Sequence, residues 1–126
     1  MVVDVGNTNI VIGLFHEDDL VMDWRLYTDP RRTDDEYSSI IRSLFRDSGI
    51  APGSIDTSVV SSVVPQLNET FIRMIKKLTG RCPRVLAPAV YHLLPVTVPA
   101  SAVHEIGADI LCAAVAAWDF FKKSCI

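Results

Sequence analysis

Hydrophobic positions near the amino terminus follow the rhythm of strands. Val2 to Val5 and Ile10 to Phe15 are two β-prone runs separated by Gly6-Asn7-Thr8-Asn9, a turn-rich tetrapeptide, so the chain is predicted to open as a β-hairpin. His16-Glu17-Asp18-Asp19 supplies a second polar turn. Leu20 to Tyr27 then resumes with bulky residues until Pro30 stops it, which completes an antiparallel meander. From there the period lengthens. Thr33-Asp34-Asp35-Glu36 has the spacing of a capping box, and Tyr37, Ile40, Ile41, Leu44 and Phe45 recur at the intervals of one helix face, with Gly49 placed to close the helix.

A β-branched run from Ile55 to Val64, ending at Pro65, has the near-continuous apolar character of a buried parallel strand. A second helix is predicted from about Gln66 to Leu78, with Leu67, Phe71, Met74, Ile75 and Leu78 inward and Gly80 beyond its end. Val85-Leu86 reads as a short strand. Pro88, Pro95 and Pro99 exclude a long helix between Ala87 and Ala102 and leave an extended path with one strand at Val96 to Val98. From Gly107 the pattern is helical again. Ile110, Leu111, Ala114, Val115, Trp118 and Phe121 fall on one side, Ala113, Ala116 and Ala117 permit close packing, and Lys122 and Lys123 complement the carboxyl end of the dipole. Ser124-Cys125-Ile126 turns β-like where the sequence stops, so the chain is expected to be part of a longer one.

Composition narrows the classes of function. A chain of 126 residues, 49% apolar and 21% charged, can bury one core and is expected to be globular and soluble. The net charge of −3, from 12 basic and 15 acidic residues without a block of one sign, suits neither nucleic acid nor an anionic membrane. The apolar start is interrupted by Asp4 and by Asn7 to Asn9, unlike a signal peptide or a membrane span. Cys82, Cys112 and Cys125 have no framework or zinc spacing and fit a reducing cytoplasm. His16, His92 and His104 lack ligand spacing and read as surface or turn residues. Ser61 and Ser62 lack a G-x-S-x-G elbow, and Trp24 and Trp118 read as core aromatics.

Two segments carry candidate chemistry. Asp4-Val5-Gly6-Asn7-Thr8-Asn9 puts a carboxylate at a strand end and a run of donors in the turn after it. Gly6 lets backbone N–H groups approach an anion, the side chains of Asn7, Thr8 and Asn9 can donate, and Asp4 can hold Mg²⁺ directly or through water. The same residues would also serve an ordinary hairpin, where Gly and Asn tolerate tight turns. The second segment is Glu105-Ile106-Gly107-Ala108-Asp109. A carboxylate in the first turn of a helix can orient a substrate hydroxyl for attack on a γ-phosphate, or can simply complement the dipole.

Taken with the element order, these segments resemble the type III pantothenate kinases, over essentially the whole chain. Asp4, Gly6, Asn7, Thr8 and Asn9 match the family's D-x-G-N-T-N phosphate motif. Ser61-Ser62-Val63-Val64-Pro65 matches its S-x-V-V-P segment, and Thr33-Asp34-Asp35-Glu36-Tyr37 its T-x-D-E-Y-like helix start. Gly107-Ala108-Asp109 with Ala114-Val115-Ala116-Ala117 follow its G-x-D-R plan and alanine-rich stretch. Ile110 stands where the family usually has Arg, Ala113 where it commonly has Asn, and Ala102-Val103 where it has Asn-Pro.

The resemblance implies an α/β, ribonuclease H-like fold of the actin, sugar kinase and Hsp70 superfamily, with a mixed sheet, an antiparallel hairpin start and covering helices. Residues 1–126 would be the N-terminal phosphate- and acceptor-binding domain. A C-terminal domain with a second D-x-G-T motif would follow, and the present chain alone is expected to be inactive. The implied reaction is phosphorylation of pantothenate to 4′-phosphopantothenate by ATP, the first step of coenzyme A biosynthesis. ATP would lie against Asp4, Val5, Gly6, Asn7, Thr8, Asn9, Ile10 and Val11, with Mg²⁺ near Asp4. The acceptor would lie against Gly107, Ala108, Asp109 and Ile110, with Asp109 as base. A monovalent cation (K⁺ or NH₄⁺), a homodimer and a cytoplasmic location are implied as well. The departures at Ile110 and Ala113 keep a second expectation open, a degenerate relative that binds nucleotide or a protein partner without transferring phosphate.

Overall fold

The computed structural model describes residues 1–103 and 105–123. The chain falls into two compact units, Met1–Val85 and Leu86–Ile126.

The first unit opens with strands β1 (Val2–Val5), β2 (Asn9–His16) and β3 (Asp19–Tyr27), followed by helix α1 (Asp34–Asp47), strand β4 (Val59–Ser62), helix α2 (Asn68–Thr79) and strand β5 (Arg84–Val85). The five strands form one sheet in the order β3-β2-β1-β4-β5. The β1–β2 and β2–β3 pairs are antiparallel, and β4 runs parallel to both β1 and β5. The predicted meander is therefore present. A bulge between Leu14 and Phe15 shifts the β2–β3 register before the Glu17-Asp18 turn.

Strand alternation sorts the two faces of this sheet. Val3 and Val5, Ile10, Ile12 and Leu14, and Val60 all turn inward and join Tyr37, Ile41 and Phe45 of α1 and Phe71, Met74, Ile75 and Leu78 of α2 in one core. Val2 and Asp4, Val11 and Gly13, and Val59 and Ser61 share the opposite face by register. Helix α1 begins as its sequence predicts. The Glu36 N–H donates to Thr33 Oγ1 at 3.3 Å, and the Thr33 N–H donates to Glu36 Oε2 at 2.8 Å. Lys77 of α2 reaches Asp34 and Asp35 of α1 at 2.6 and 2.7 Å. Gly80 closes α2 at φ 77°, a left-handed conformation that glycine adopts without a Cβ clash.

In the second unit a 3₁₀ turn at Pro88–Leu93 precedes helix α3 (Ala108–Phe121). Tyr91, Ala108 and Leu111 are its buried residues, with Leu86, Leu94, Val96, Val98, Val103 and Ile106 packed around them.

Three expectations are corrected. β4 spans only Val59–Ser62, because Pro52–Ser54 forms a 3₁₀ turn and β1, its partner, offers four residues to pair with. Val96 to Val98 forms no strand: Pro95 and Pro99 bracket it and remove donors a ladder would need. The predicted apolar side of α3 is largely open. Leu111 is buried, whereas Ile110, Trp118 and Phe121 are exposed, so Trp118 is not a core aromatic here. The β-like reading of Ser124-Cys125-Ile126 lies outside the described residues, as does that of His104.

Candidate active site

The turn between β1 and β2 is held from outside itself. The Gly6 N–H donates to the Asn9 carbonyl at 3.0 Å, and a Cβ built on Gly6 would sit 2.9 Å from that same oxygen. Only glycine closes the turn at this distance. Thr28, just past β3 and 3% exposed, clamps both sides of it. Its Oγ1 donates to the Gly6 carbonyl at 2.7 Å and its N–H donates to the Thr8 carbonyl at 3.0 Å. The next residue is held in turn by α1: the Tyr37 hydroxyl donates to the Asp29 carbonyl at 3.0 Å and accepts from the Asp29 N–H at 3.1 Å. The Arg31 guanidinium, hydrogen-bonded to the Asp29 carboxylate, holds that carboxyl below its ordinary range.

The groups this clamp presents are uncommitted. Asn7 and Thr8 are exposed and Asn9 is half-buried; among the described residues, none of their side chains makes a hydrogen bond. Asp4 is half-buried on the outward sheet face, between Val11 and Ser61 in register, and also has no hydrogen-bond or ion-pair partner among the described residues. A rigid turn with free donors beside a free carboxylate fits a phosphate chain with its cation. Mg²⁺ is ordinarily held by one or two carboxylates together with phosphate oxygens and water. Val5 and Ile10 pair across the hairpin, and both side chains are fully buried in the core. They can offer only backbone to a ligand, while Val11 lies on the Asp4 face.

The acceptor candidates lie at the start of α3. Gly107 is the N-cap residue and makes no side-chain capping bond. The Asp109 carboxylate partly fills that role, since Oδ1 accepts from the Ile110 N–H at 2.9 Å. Its second oxygen is free to accept from a ligand. Ala108 is buried, and Ile110 is 62% exposed. Beneath this turn lies Tyr91, packed with Ala108 and Leu111. Burial pushes its phenol up from the usual range, and the charges of Cys112 and Asp109 add to the rise.

The structure thus gathers Asp4 to Val11 at one turn of the first unit, and Gly107 to Ile110 at one helix start of the second. Sequence reasoning missed Thr28, Tyr37 and Tyr91 as supports. Thr28-Asp29-Pro30 directly after a strand was the available signal, being a cluster of turn-forming residues. His16, His92, Cys82 and Cys112 are exposed, in keeping with the absence of ligand spacing, and Trp24 lies half-buried 5.3 Å from Phe45. Among the described residues no helix is long and apolar enough to cross a membrane.

A meander continuing into parallel β4 and β5, with helices laid on one face and a tight turn after β1, is the ribonuclease H-like arrangement of the actin, sugar kinase and Hsp70 superfamily. Within that class, the family model for type III pantothenate kinase matches residues 1–126, and the chain belongs to this family. Among its relatives, it is 39% identical over 126 residues to the type III pantothenate kinase of Geobacter sulfurreducens, covering all of this chain and 49% of that one. Identity to the enzyme of Syntrophotalea carbinolica is 37%, again over 49% of the relative, and to that of Treponema pallidum strain Nichols 36%, over 48%. The chain spans about half the length of the curated relatives it matches.

Proposed function

We propose that the complete protein carrying this chain transfers the γ-phosphate of ATP to the primary hydroxyl of pantothenate, yielding 4′-phosphopantothenate for coenzyme A biosynthesis. The observation that carries this reading is the Thr28-clamped turn beside an uncommitted Asp4, in a chain of the type III pantothenate kinase family. Bound Mg²⁺ would neutralise the phosphate charge that builds up during transfer. The Gly6 N–H closes the turn on the Asn9 carbonyl, and the amides that follow it, with the side-chain donors of Asn7, Thr8 and Asn9, hold the phosphates; the clamp means that little reorganisation is needed when they arrive. Asp4 accepts from the cation's water or binds the cation directly. Asp109 accepts the hydroxyl proton, with one carboxylate oxygen fixed by the Ile110 N–H and the other turned to the alcohol. Gly107, Ala108 and Ile110 form the rest of the acceptor subsite. A monovalent cation, a homodimeric assembly and a cytoplasmic location belong to the same reading, as does a 1–126 N-terminal domain completed by a C-terminal one.

A second reading is favoured by one observation. Ile110 and Ala113 replace an expected Arg and Asn, and Ile110 stands open to solvent where a guanidinium would meet a carboxylate. A relative that binds nucleotide without phosphorylating pantothenate would tolerate that loss.

Steady-state kinetics separate the two. Asp109→Asn is expected to lower kcat by roughly 10²-fold or more with modest change in KM for ATP, as removal of a general base does. Because position 110 is exposed, Ile110→Arg adds no buried unpaired charge. It is expected to lower KM for pantothenate roughly tenfold, the scale of one charge-assisted hydrogen bond. A silent Asp109→Asn would remove the assigned base, and a folded Ile110→Arg with unchanged KM would point to another acceptor or another anchoring group.

A further inference from the structure

Two adjacent serines at the end of β4 have different fates. Ser62 is accounted for by local structure: its Oγ accepts from the Val64 N–H at 3.1 Å and lies 3.2 Å from the Val64 carbonyl, closing the strand exit ahead of Pro65. Ser61 is 5% exposed, and its Oγ is buried without a hydrogen-bond partner. Leaving a buried hydroxyl unsatisfied is unfavourable, and such groups in native proteins ordinarily have a reason. Ser38 Oγ and Asn68 Oδ1 are the other orphaned side-chain atoms among the described residues, but they lie on α1 and at the start of α2. Ser61 alone of the three is in register with Asp4, on the neighbouring parallel strand.

Paired residues on adjacent strands point to the same face, with backbones about 4.8 Å apart. A change of χ1 rotamer at Ser61 is the movement that would turn its hydroxyl toward the carboxylate beside it. Both members of this pair are uncommitted, and one of them is the candidate cation ligand.

We propose that Ser61 is a positioning residue for Asp4: in the nucleotide-bound protein its hydroxyl donates to one Asp4 oxygen and leaves the other aimed at the cation. Metal-ligating carboxylates are commonly steadied in this way, and losing the outer partner weakens metal affinity roughly 10- to 100-fold. The inference rests on the phosphate-site reading above and adds the residue that orients its carboxylate.

The probe is ADP, titrated calorimetrically into the complete protein with and without Mg²⁺. In wild type, Mg²⁺ strengthens ADP binding. Ser61→Ala is expected to lose roughly tenfold or more of affinity in Mg²⁺ and nothing in EDTA, while its unliganded melting temperature stays equal to or above that of wild type, since an orphaned hydroxyl has been removed. Ser61→Thr, which restores the hydroxyl, recovers the Mg²⁺-dependent gain. In an Asp4→Asn background, Ser61→Ala has no further effect, as a shared interaction requires. Ser62→Ala lowers the melting temperature and leaves Mg²⁺·ADP affinity unchanged. A Ser61→Ala variant with the full Mg²⁺-dependent gain overturns the inference while the phosphate site stands. Equal losses in Mg²⁺ and EDTA, or additivity with Asp4→Asn, overturn it too. Wild type that binds no ADP under either condition overturns the phosphate-site reading, and this inference with it.

Discussion

At the scale of single residues, the turn proposed to hold phosphate depends on closeness. Gly6 leaves no room for a methyl group against the Asn9 carbonyl, so Gly6→Ala forces the turn open and misplaces the amides that follow. The expected outcome is a rise of roughly tenfold or more in KM for ATP, equivalent to losing one or two hydrogen bonds, with the far-UV circular dichroism of wild type. Unaltered kinetics in Gly6→Ala would show that the turn does not need this geometry. As candidates, Asp4, the Gly6–Asn9 turn and Asp109 were legible in the sequence because each motif is contiguous. Thr28 was not, since its partner lies 22 positions away and only pairing of β2 with β3 brings the two together. In the sequence Ser61 shows that it lacks a nucleophile elbow and that it opens the S-x-V-V-P-like segment, neither of which ties it to Asp4. Its significance lies in its neighbour across the sheet.

At the scale of elements, α1 was the most legible because its capping box, apolar face and closing glycine agree with one another. Elements whose extent depends on a partner are overstated by their own residues. β4 stops where β1 has nothing left to pair, and Val96 to Val98 has prolines on both sides. Helix α3 lies where its pattern predicts, yet most of the apolar side that the pattern turns inward is exposed. Periodicity identifies a helix and does not say whether a neighbour covers it.

The junction of α1 and α2 has a pH signature. Hydrogen bonding to Lys77 holds the Asp34 carboxyl below its ordinary range, with Arg73 adding to the effect, and the same contacts raise Lys77. A depressed carboxyl stabilises the fold above the ordinary aspartate range, and that contribution is lost as pH falls through the lower folded value. Asp34→Asn is therefore expected to melt below wild type near pH 7 and to converge with it as pH falls toward about 3, near and below the ordinary aspartate value. Melting curves over that range check the sign. A difference independent of pH would assign the loss to packing instead of the ion pair.

At the scale of the whole molecule, the chain holds a clamped turn, the candidate phosphate site, in one unit and the candidate acceptor carboxylate in the other, and it spans about half the length of its curated relatives. The fold class was legible because independent segments occur in the order the family requires. Acceptor identity was less so, because it turns on Ile110 and Ala113, where this chain departs from that pattern. The most direct measurement is ATP-dependent formation of 4′-phosphopantothenate by the complete protein, beside Asp4→Asn. The account predicts product from wild type and none from Asp4→Asn, with matching circular dichroism, because on the proposed reading Asp4 holds the cation that neutralises the phosphates. A folded wild type that makes no phosphopantothenate, or an Asp4→Asn variant that turns over at the wild-type rate, would contradict it.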